Sequence, residues 1–224
     1  MPTPLSTRDT KMLTLWGRAD SSNVQAVTWT LAELGLPFER HDIGHRFGGT
    51  DTPDYIAMNP NRTVPVLQDG DGPALWESAA IVRYLANRYA PEAFWPADPL
   101  ARADVDRWAE WAKVNINLPF GGSVFYPMVF QPAEARDDAA IARAMTGITA
   151  KLQIAEDRLK TRRWMMGDAL TLADIHMGNL LYRYHTLEID RPALPALSAY
   201  YQRLCDRPAY AEHVMVSFDA LRPR

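Results

Sequence analysis

A single cysteine, Cys205, stands in a chain of 224 residues. An internal disulfide is therefore impossible, and so is a cysteine-rich metal site. Neither sign of charge dominates: 24 Lys and Arg against 27 Asp and Glu leave a formal net charge of -3. The basic excess that marks a nucleic-acid partner is missing. No run approaches the roughly 20 continuous apolar residues of a membrane-spanning helix. Met1 to Lys11 is polar, lacks the apolar segment of a secretory signal, and reads as a short loose extension. Internal repeats and low-complexity tracts are absent as well. These absences point away from metal, nucleic acid and membrane, and they fit the cytoplasm. What the chain does have is apolar material, 47% of its residues, enough for two packed cores rather than one.

Met12 to Trp16 is a short apolar run that reads as a buried strand. Asp20-Ser21-Ser22-Asn23 offers several helix caps in a row. Val24, Val27, Leu31 and Leu34 follow at helical spacing, and Gly35 is the stop. Phe38 to Ile43 reads as a second strand. Gly44 to Asn61 reads as a long loop carrying a short helix. Val64 to Gln68 and Ala74 to Glu77 are strands joined by the hairpin turn Asp69-Gly70-Asp71-Gly72. Ser78 then caps a helix carrying Ile81, Val82 and Leu85. Ala90 to Pro99 holds Pro91, Pro96 and Pro99 without helical period, and residues 90–98 read as a linker. Beyond it the chain is helical. One helix is expected over Leu100 to Val114, then a break over Asn115 to Pro132, where Gly121, Gly122, Pro119, Pro127 and Pro132 interrupt the pattern. A long helix from Ala133 to Leu159 follows, with Ile141, Met145, Ile148, Leu152, Ala155 and Leu159 on one stripe. Thr171 and Asp174 form a capping box for the next helix. Two last helices lie near Ala196 to Cys205 and Ala209 to Val214. His176, Trp108 and Cys205 read as packing residues, the histidine with its hydrogen bonds satisfied.

Two short motifs carry chemistry. A proline at the start of a strand, as in Val64-Pro65, marks either an edge or a cis peptide. In the second case the backbone groups of Val64 are turned outward, free to pair with an extended peptide. Glu77-Ser78 ends a strand and opens a helix. The first N–H groups of a helix suit a carboxylate and Glu77 suits an ammonium, which together match an α-amino-acid end. The alternative is a capped helix beside a solvated acid.

Three segments carry a wider resemblance. Asn59-Pro60-Asn61-Arg62-Thr63-Val64-Pro65-Val66-Leu67, Leu75-Trp76-Glu77-Ser78-Ala79-Ala80-Ile81-Val82-Arg83-Tyr84-Leu85 and Gly167-Asp168-Ala169-Leu170-Thr171-Leu172-Ala173-Asp174-Ile175 stand in that order. They resemble the NP-x-G-x-VPVL, L-x-ES-x-AI-x-x-YL and G-D-x-x-T-x-A-D-I segments of the cytosolic glutathione transferases. The bacterial branch with serine-type active sites is the nearest in pattern. The resemblance implies an α+β thioredoxin-like N-terminal domain over 12–89, in the order βαβ-α-ββα, and an all-helical C-terminal domain over 99–224. It also implies glutathione as co-substrate, a homodimer, and no metal. Arg62 stands where many relatives carry glycine, which loosens the loop before Val64 or adds a positive group near the glycyl carboxylate.

The resemblance also distributes roles. Arg62, Val64, Pro65, Glu77 and Ser78 fall on the glutathione-binding positions. Redox relatives of this fold place Cys-x-x-Cys after the first strand; here Ser21-Ser22-Asn23-Val24 stands there, which excludes dithiol exchange of that type. Ser21 falls on the position whose hydroxyl donates to the glutathione sulfur, with Ser22 and Asn23 as close alternatives. Arg18, Trp111, Asn115, Phe120 and Tyr126, with Phe125, fall in regions that line the pocket for the second substrate. The implied activity is transfer of the glutathione thiolate to a small electrophile, by conjugation or dehalogenation. The alternatives are a non-catalytic glutathione-binding or regulatory protein on the same scaffold and, ranked below, isomerisation of a dicarboxylic diketone, whose enzymes carry cysteine where Asn23 stands.

Overall fold

The computed structural model describes residues 12–223, so the extension expected over Met1 to Lys11 lies outside the described residues. The chain divides into two compact units, Met1–Val82 and Arg83–Arg224.

The first unit is built on a four-stranded sheet of order β2-β1-β3-β4, with β1 Leu13–Trp16, β2 Phe38–His41, β3 Val66–Asp69 and β4 Leu75–Trp76. β1 runs parallel to β2 and antiparallel to β3, with Leu15 opposite Arg40 on one side and Leu67 on the other. β4 closes the far edge antiparallel to β3. Helix α1, Ser22–Glu33, makes the crossover between the parallel strands. It stops where Gly35 turns left-handed at φ 64° and Leu36 N–H donates back to Leu31 at 2.9 Å. Helix α2 is Pro53–Met58, and α3 is Ser78–Tyr89, within which the division between the units falls. Leu13, Leu15, Val24, Val27, Leu31, Val66, Leu67, Ile81 and Val82 are all buried and form this unit's core. The hairpin turn falls where expected, with Gly70 at φ 56° and Gly72 N–H on Asp69 O at 2.9 Å. The third strand begins at Val66 rather than Val64. Pro65 has no N–H to give a ladder, and the Val64–Pro65 peptide is cis.

The second unit is helical. Helix α4, Pro99–Ala112, begins on the Asp98 cap, whose carboxylate accepts Ala101 N–H at 2.8 Å. The expected break over Asn115 to Pro132 is absent for most of its length. The backbone stays helical from Lys113 to Phe130, as α5 Leu118–Phe120 and α6 Tyr126–Phe130 joined by π-helical turns at Lys113–Asn117 and Gly121–Phe125. Pro119 and Pro127 each fall in the first turn of an α segment, next to a widened turn where the missing N–H is tolerated. Helix α7 is Asp138–Leu159, shorter than expected, because Asp137 caps it through Ala140 N–H at 2.8 Å; Ala133–Ala135 is a separate 3-10 turn. Its stripe of Ile141, Met145, Ile148, Leu152, Ala155 and Leu159 is buried as expected.

Helices α8 Leu172–Gly178, α9 Leu181–Thr186, α10 Pro195–Cys205 and α11 Pro208–His213 complete the unit. The Asp174 carboxylate is fully buried and accepts from Thr171 N–H and Met165 N–H, both at 2.8 Å, and from the Tyr200 hydroxyl at 3.0 Å. Burial pushes its pKa up to about 6, against the pull of those donors. His176, two residues on, is buried as expected, but its Nε2 has no hydrogen-bond partner among the described residues. No helix among the described residues is long and apolar enough to cross a membrane.

Candidate active site

The loop from β1 to α1 is narrow for steric reasons. A Cβ on Gly17 would lie 2.5 Å from Val24 Cγ2 and 3.4 Å from Val64 Cβ, at a φ of 156° that side chains avoid. The loop is tied down by Arg40 Nη1 on Gly17 O at 2.9 Å and by Gln25 Nε2 on Ala19 O at 3.1 Å. Ser21 is the N-cap residue of α1, with extended backbone and its C=O accepting Gln25 N–H at 2.8 Å. Its hydroxyl makes no capping hydrogen bond. The side chain is 8% exposed. Ser22, half-buried, is the first residue of α1, and Asn23 is exposed in the same turn.

Val64 lies against this loop. The ladder to β1 starts at Val66, and no backbone hydrogen bond involves Val64 among the described residues. The segment ahead of it is held by buried Asn59, whose amide donates to Thr63 O at 2.8 Å, and by the Tyr55 hydroxyl on the same oxygen at 2.7 Å. Arg62 is exposed at φ 56°, so the chain keeps the left-handed turn that glycine would adopt. The loop is therefore not loosened by the arginine; its guanidinium is simply presented to solvent.

Glu77 occupies a left-handed conformation too, at φ 70°, where β4 turns into α3, and its side chain is exposed. Such a conformation in a non-glycine residue concentrates at functional sites. The Ile81 N–H donates to Glu77 O at 2.9 Å, so Glu77 rather than Ser78 takes the cap position. The hydroxyl of buried Ser78 reaches Asn23 Oδ1 instead, at 3.1 Å. That bond joins the Glu77-Ser78 corner to the first turn of α1. The structure thus brings Ser21, Ser22, Asn23, Val64, Pro65, Glu77 and Ser78 together at one end of the first unit's sheet.

Two residues that the sequence reading did not single out for the site also belong to this end. Asp20, read only as one of several caps, is 3% exposed and accepts from Arg18 Nη1 at 2.6 Å and from Arg46 Nη1 at 2.5 Å. Arg46 comes from the 3-10 turn His45–Phe47, and only tertiary structure links it to Asp20.

The remaining candidates are in the second unit. Trp111 is half-buried, edge-on to Trp108 with centroids 5.1 Å apart, and Asn115 spends its amide on Trp111 O at 3.0 Å. Phe120 is 1% exposed and packs against Tyr184. Phe125 is also buried, with Arg183 over its ring at 4.3 Å. These two phenylalanines fill the unit's interior, because the unbroken helix turns them inward. Tyr126 is 54% exposed and stacks on Phe130. Cys205 is half-buried and its thiol is pushed up by burial, which suits the inert reading.

A sheet of this order with a cis Val-Pro corner, followed by a helical unit, is the thioredoxin-like plus all-α architecture of glutathione-dependent proteins. The N-terminal domain model of glutathione S-transferases matches residues 20–88, and the C-terminal domain model matches residues 121–208. Glutathione S-transferase GstB of Escherichia coli K12 is 37% identical over 92% of this chain and 99% of its own length. Glutathione S-transferase 3 of Zea mays is 33% identical over 90% of this chain and 93% of its own. A theta class glutathione S-transferase from Xanthomonas axonopodis pv. citri, solved with glutathione bound, superposes with a TM-score of 0.86 at 42% identity, covering 92% and 99% of the two chains. The chain belongs to the glutathione S-transferase family and is a glutathione transferase.

Proposed function

We propose that the enzyme is of the serine type and activates glutathione through Ser21, transferring the thiolate to a small electrophile by conjugation or dehalogenation. Residues 12–89 form the glutathione-binding domain, 99–224 the domain contributing to the second-substrate pocket, and 90–98 the link. Val64, after Pro65 turns its peptide, pairs with the tripeptide backbone. Ser78 and the start of α3 take the γ-glutamyl carboxylate, Glu77 the ammonium, and Arg62 faces the glycyl carboxylate. Arg18, Trp111, Asn115 and Tyr126 border the electrophile. The working form is a cytoplasmic homodimer; sedimentation giving a monomer at micromolar concentration counts against that.

The observation that carries the sulfur role is Ser21 itself. It holds the cap position of α1 while its hydroxyl makes no cap bond, so the donor is not spent on the helix. Ser22 lies within α1, and Asn23, whose Oδ1 accepts the Ser78 hydroxyl, keeps its amide N–H groups as the alternative donor. Lowering a thiol from about 8.5 to roughly 6.5 requires about 2.7 kcal/mol in favour of thiolate. One hydrogen bond to a charged group contributes roughly 1.5–3 kcal/mol, and a helix N-terminus about 0.3–1 kcal/mol. α1 has no acidic residue in its first turn to oppose this.

The bound thiolate absorbs in the ultraviolet, so its pKa can be titrated without a second substrate. Ser21→Ala raises it by about one to two pH units and leaves glutathione affinity at low pH nearly unchanged, because the hydroxyl favours only the charged form. Titrating Ser22→Ala and Asn23→Ala alongside assigns the donor. A larger rise in either of those moves the role along the turn. No rise in any of the three favours a non-catalytic binding protein.

A further inference from the structure

Among the described residues, Asp20 is the only buried carboxylate held by two guanidinium groups from different segments. One oxygen takes Arg18, from its own loop; the other takes Arg46, from the turn after β2. The turn carrying Arg46 is preceded by Gly44, where an added Cβ would lie 3.3 Å from Val64 Cγ1. The loop carrying Arg18 is preceded by Gly17, where an added Cβ would lie 3.4 Å from Val64 Cβ. Two loops therefore converge on Val64, and Asp20 ties one to the other. Ser21 follows Asp20 directly. The other anchors of the Ser21 loop, from Arg40 and Gln25, hold its backbone at Gly17 and Ala19. Asp20 is thus the side chain that fixes the last residue before the proposed sulfur donor. Burial pushes its carboxyl up, but the Arg46 and Arg18 hydrogen bonds and charges outweigh that and hold it below the usual range, so it is ionised at neutral pH.

We propose that Asp20 is a positioning residue for sulfur activation: its two-armed grip on Arg18 and Arg46 locks the β1–α1 loop onto the 45–47 turn and thereby sets where the Ser21 hydroxyl points. The inference rests on Ser21 being the donor. It goes further, because it assigns the accuracy of that donor to a residue that touches neither glutathione nor electrophile. The arrangement also sets the net charge at the foot of the Ser21 loop. Two guanidiniums and one carboxylate leave one net positive charge on the cluster that precedes Ser21, rather than the two that unpaired arginines would leave or the negative one that Asp20 alone would present.

The sign of one measurement separates positioning from simple charge. Asp20→Asn keeps the size of the side chain and one acceptor but removes a negative charge. By charge alone the thiolate gains stability, and the pKa of bound glutathione falls. If the grip positions Ser21, the weakened hydroxyl contact outweighs that gain and the pKa rises, by about one pH unit, roughly half of what loss of a whole charge-assisted hydrogen bond produces. The expected result is that rise, with kcat at neutral pH reduced several-fold and Asp20→Glu restoring part of it. A fall or no change in the pKa overturns the proposal.

Arg46→Gln provides a second route, since that side chain is 41% exposed and its loss leaves the interior in place. Charge loss alone predicts opposite shifts for Arg46→Gln and Asp20→Asn, so the double variant returns to the wild-type pKa. The grip predicts that the double variant stays raised, like either single one. A return to the wild-type value overturns the proposal even if Asp20→Asn alone folds poorly. Ser21→Ala, titrated in parallel, keeps the two levels apart. If it shifts the pKa and Asp20→Asn does not, only the positioning role fails. If Ser21→Ala shifts nothing, the sulfur assignment fails first.

Discussion

His176 makes the helical unit sensitive to acid, and the size of the effect follows from its surroundings. The side chain is 2% exposed, its Nε2 has no hydrogen-bond partner among the described residues, and burial, with the Lys113 and Arg83 charges, pushes its pKa down to about 3. In the unfolded chain it titrates near 6.5. Below 6.5 the unfolded state takes up a proton that the folded state refuses, so stability falls as pH drops through the interval from 6.5 to 3. At pH 5 the loss relative to pH 7 is about 2 kcal/mol. Asp174, two residues away, works in the opposite direction. Its pKa is about 6 against 3.8 unfolded, so the folded state binds the extra proton and acidification from pH 7 to 5 restores about 1 kcal/mol. Total stability is therefore a poor readout, while the difference between wild type and His176→Gln isolates the histidine. Urea unfolding at pH 7 and pH 5 checks it: the wild type should lose about 2 kcal/mol more than the variant between the two values. Equal losses in both proteins would refute the claim that His176 is held neutral. His185, also held down to about 4 by burial and Arg191, is present in both and cancels.

Two further outcomes are expected. Glu77→Gln, which removes the charge at the left-handed corner without altering its backbone demand, should weaken glutathione binding by about 1.5 kcal/mol, measured by calorimetry; unchanged affinity would misplace the γ-glutamyl ammonium. Asp174→Ala leaves Met165 N–H, Thr171 N–H and the Tyr200 hydroxyl without their acceptor in a fully buried place. At about 1–3 kcal/mol each the loss should reach roughly 4 kcal/mol in urea unfolding, a large share of the usual 5–15 kcal/mol; a loss under about 1 kcal/mol would contradict the burial argument.

Much of this is legible in the sequence because it is encoded locally. The Asp69–Gly72 turn, the stripe on α7 and the Thr171–Asp174 box each depend on residues a few positions apart, where backbone geometry and side-chain period decide the outcome. The Val-Pro and Glu-Ser corners are legible for the same reason. The run from Asn115 to Phe130 reads as a break because Pro119, Gly121, Gly122 and Pro127 are each helix breakers by intrinsic preference. A widened turn next to each proline accommodates them, and buried neighbours such as Ile116, Val124 and Val129 hold the helix together. The Ser78–Asn23 and Asp20–Arg46 bonds span 55 and 26 residues. No local pattern marks them, since each partner alone is an ordinary cap or surface charge. His176 reads as a satisfied histidine because burial is visible in periodicity, whereas whether each ring nitrogen meets a partner is not.

The five-residue turns at Lys113–Asn117 and Gly121–Phe125 give this stretch a route of variation that ordinary helices lack. A π turn is an α turn carrying one residue more, so each rotates everything downstream by about 100° relative to an unbroken helix. An added Cβ at Gly121 or Gly122 meets nothing within 4 Å. Removing one residue there returns the turn to α spacing, keeps the helix continuous, and leaves Tyr126 and Phe130 on the faces they already occupy. The stretch can thus lose a single codon there without resetting which aromatic meets solvent, a loss that rotates an ordinary helix by about 100°. Length can therefore vary at these turns while the downstream faces, those of Tyr126 and Phe130 included, stay in place.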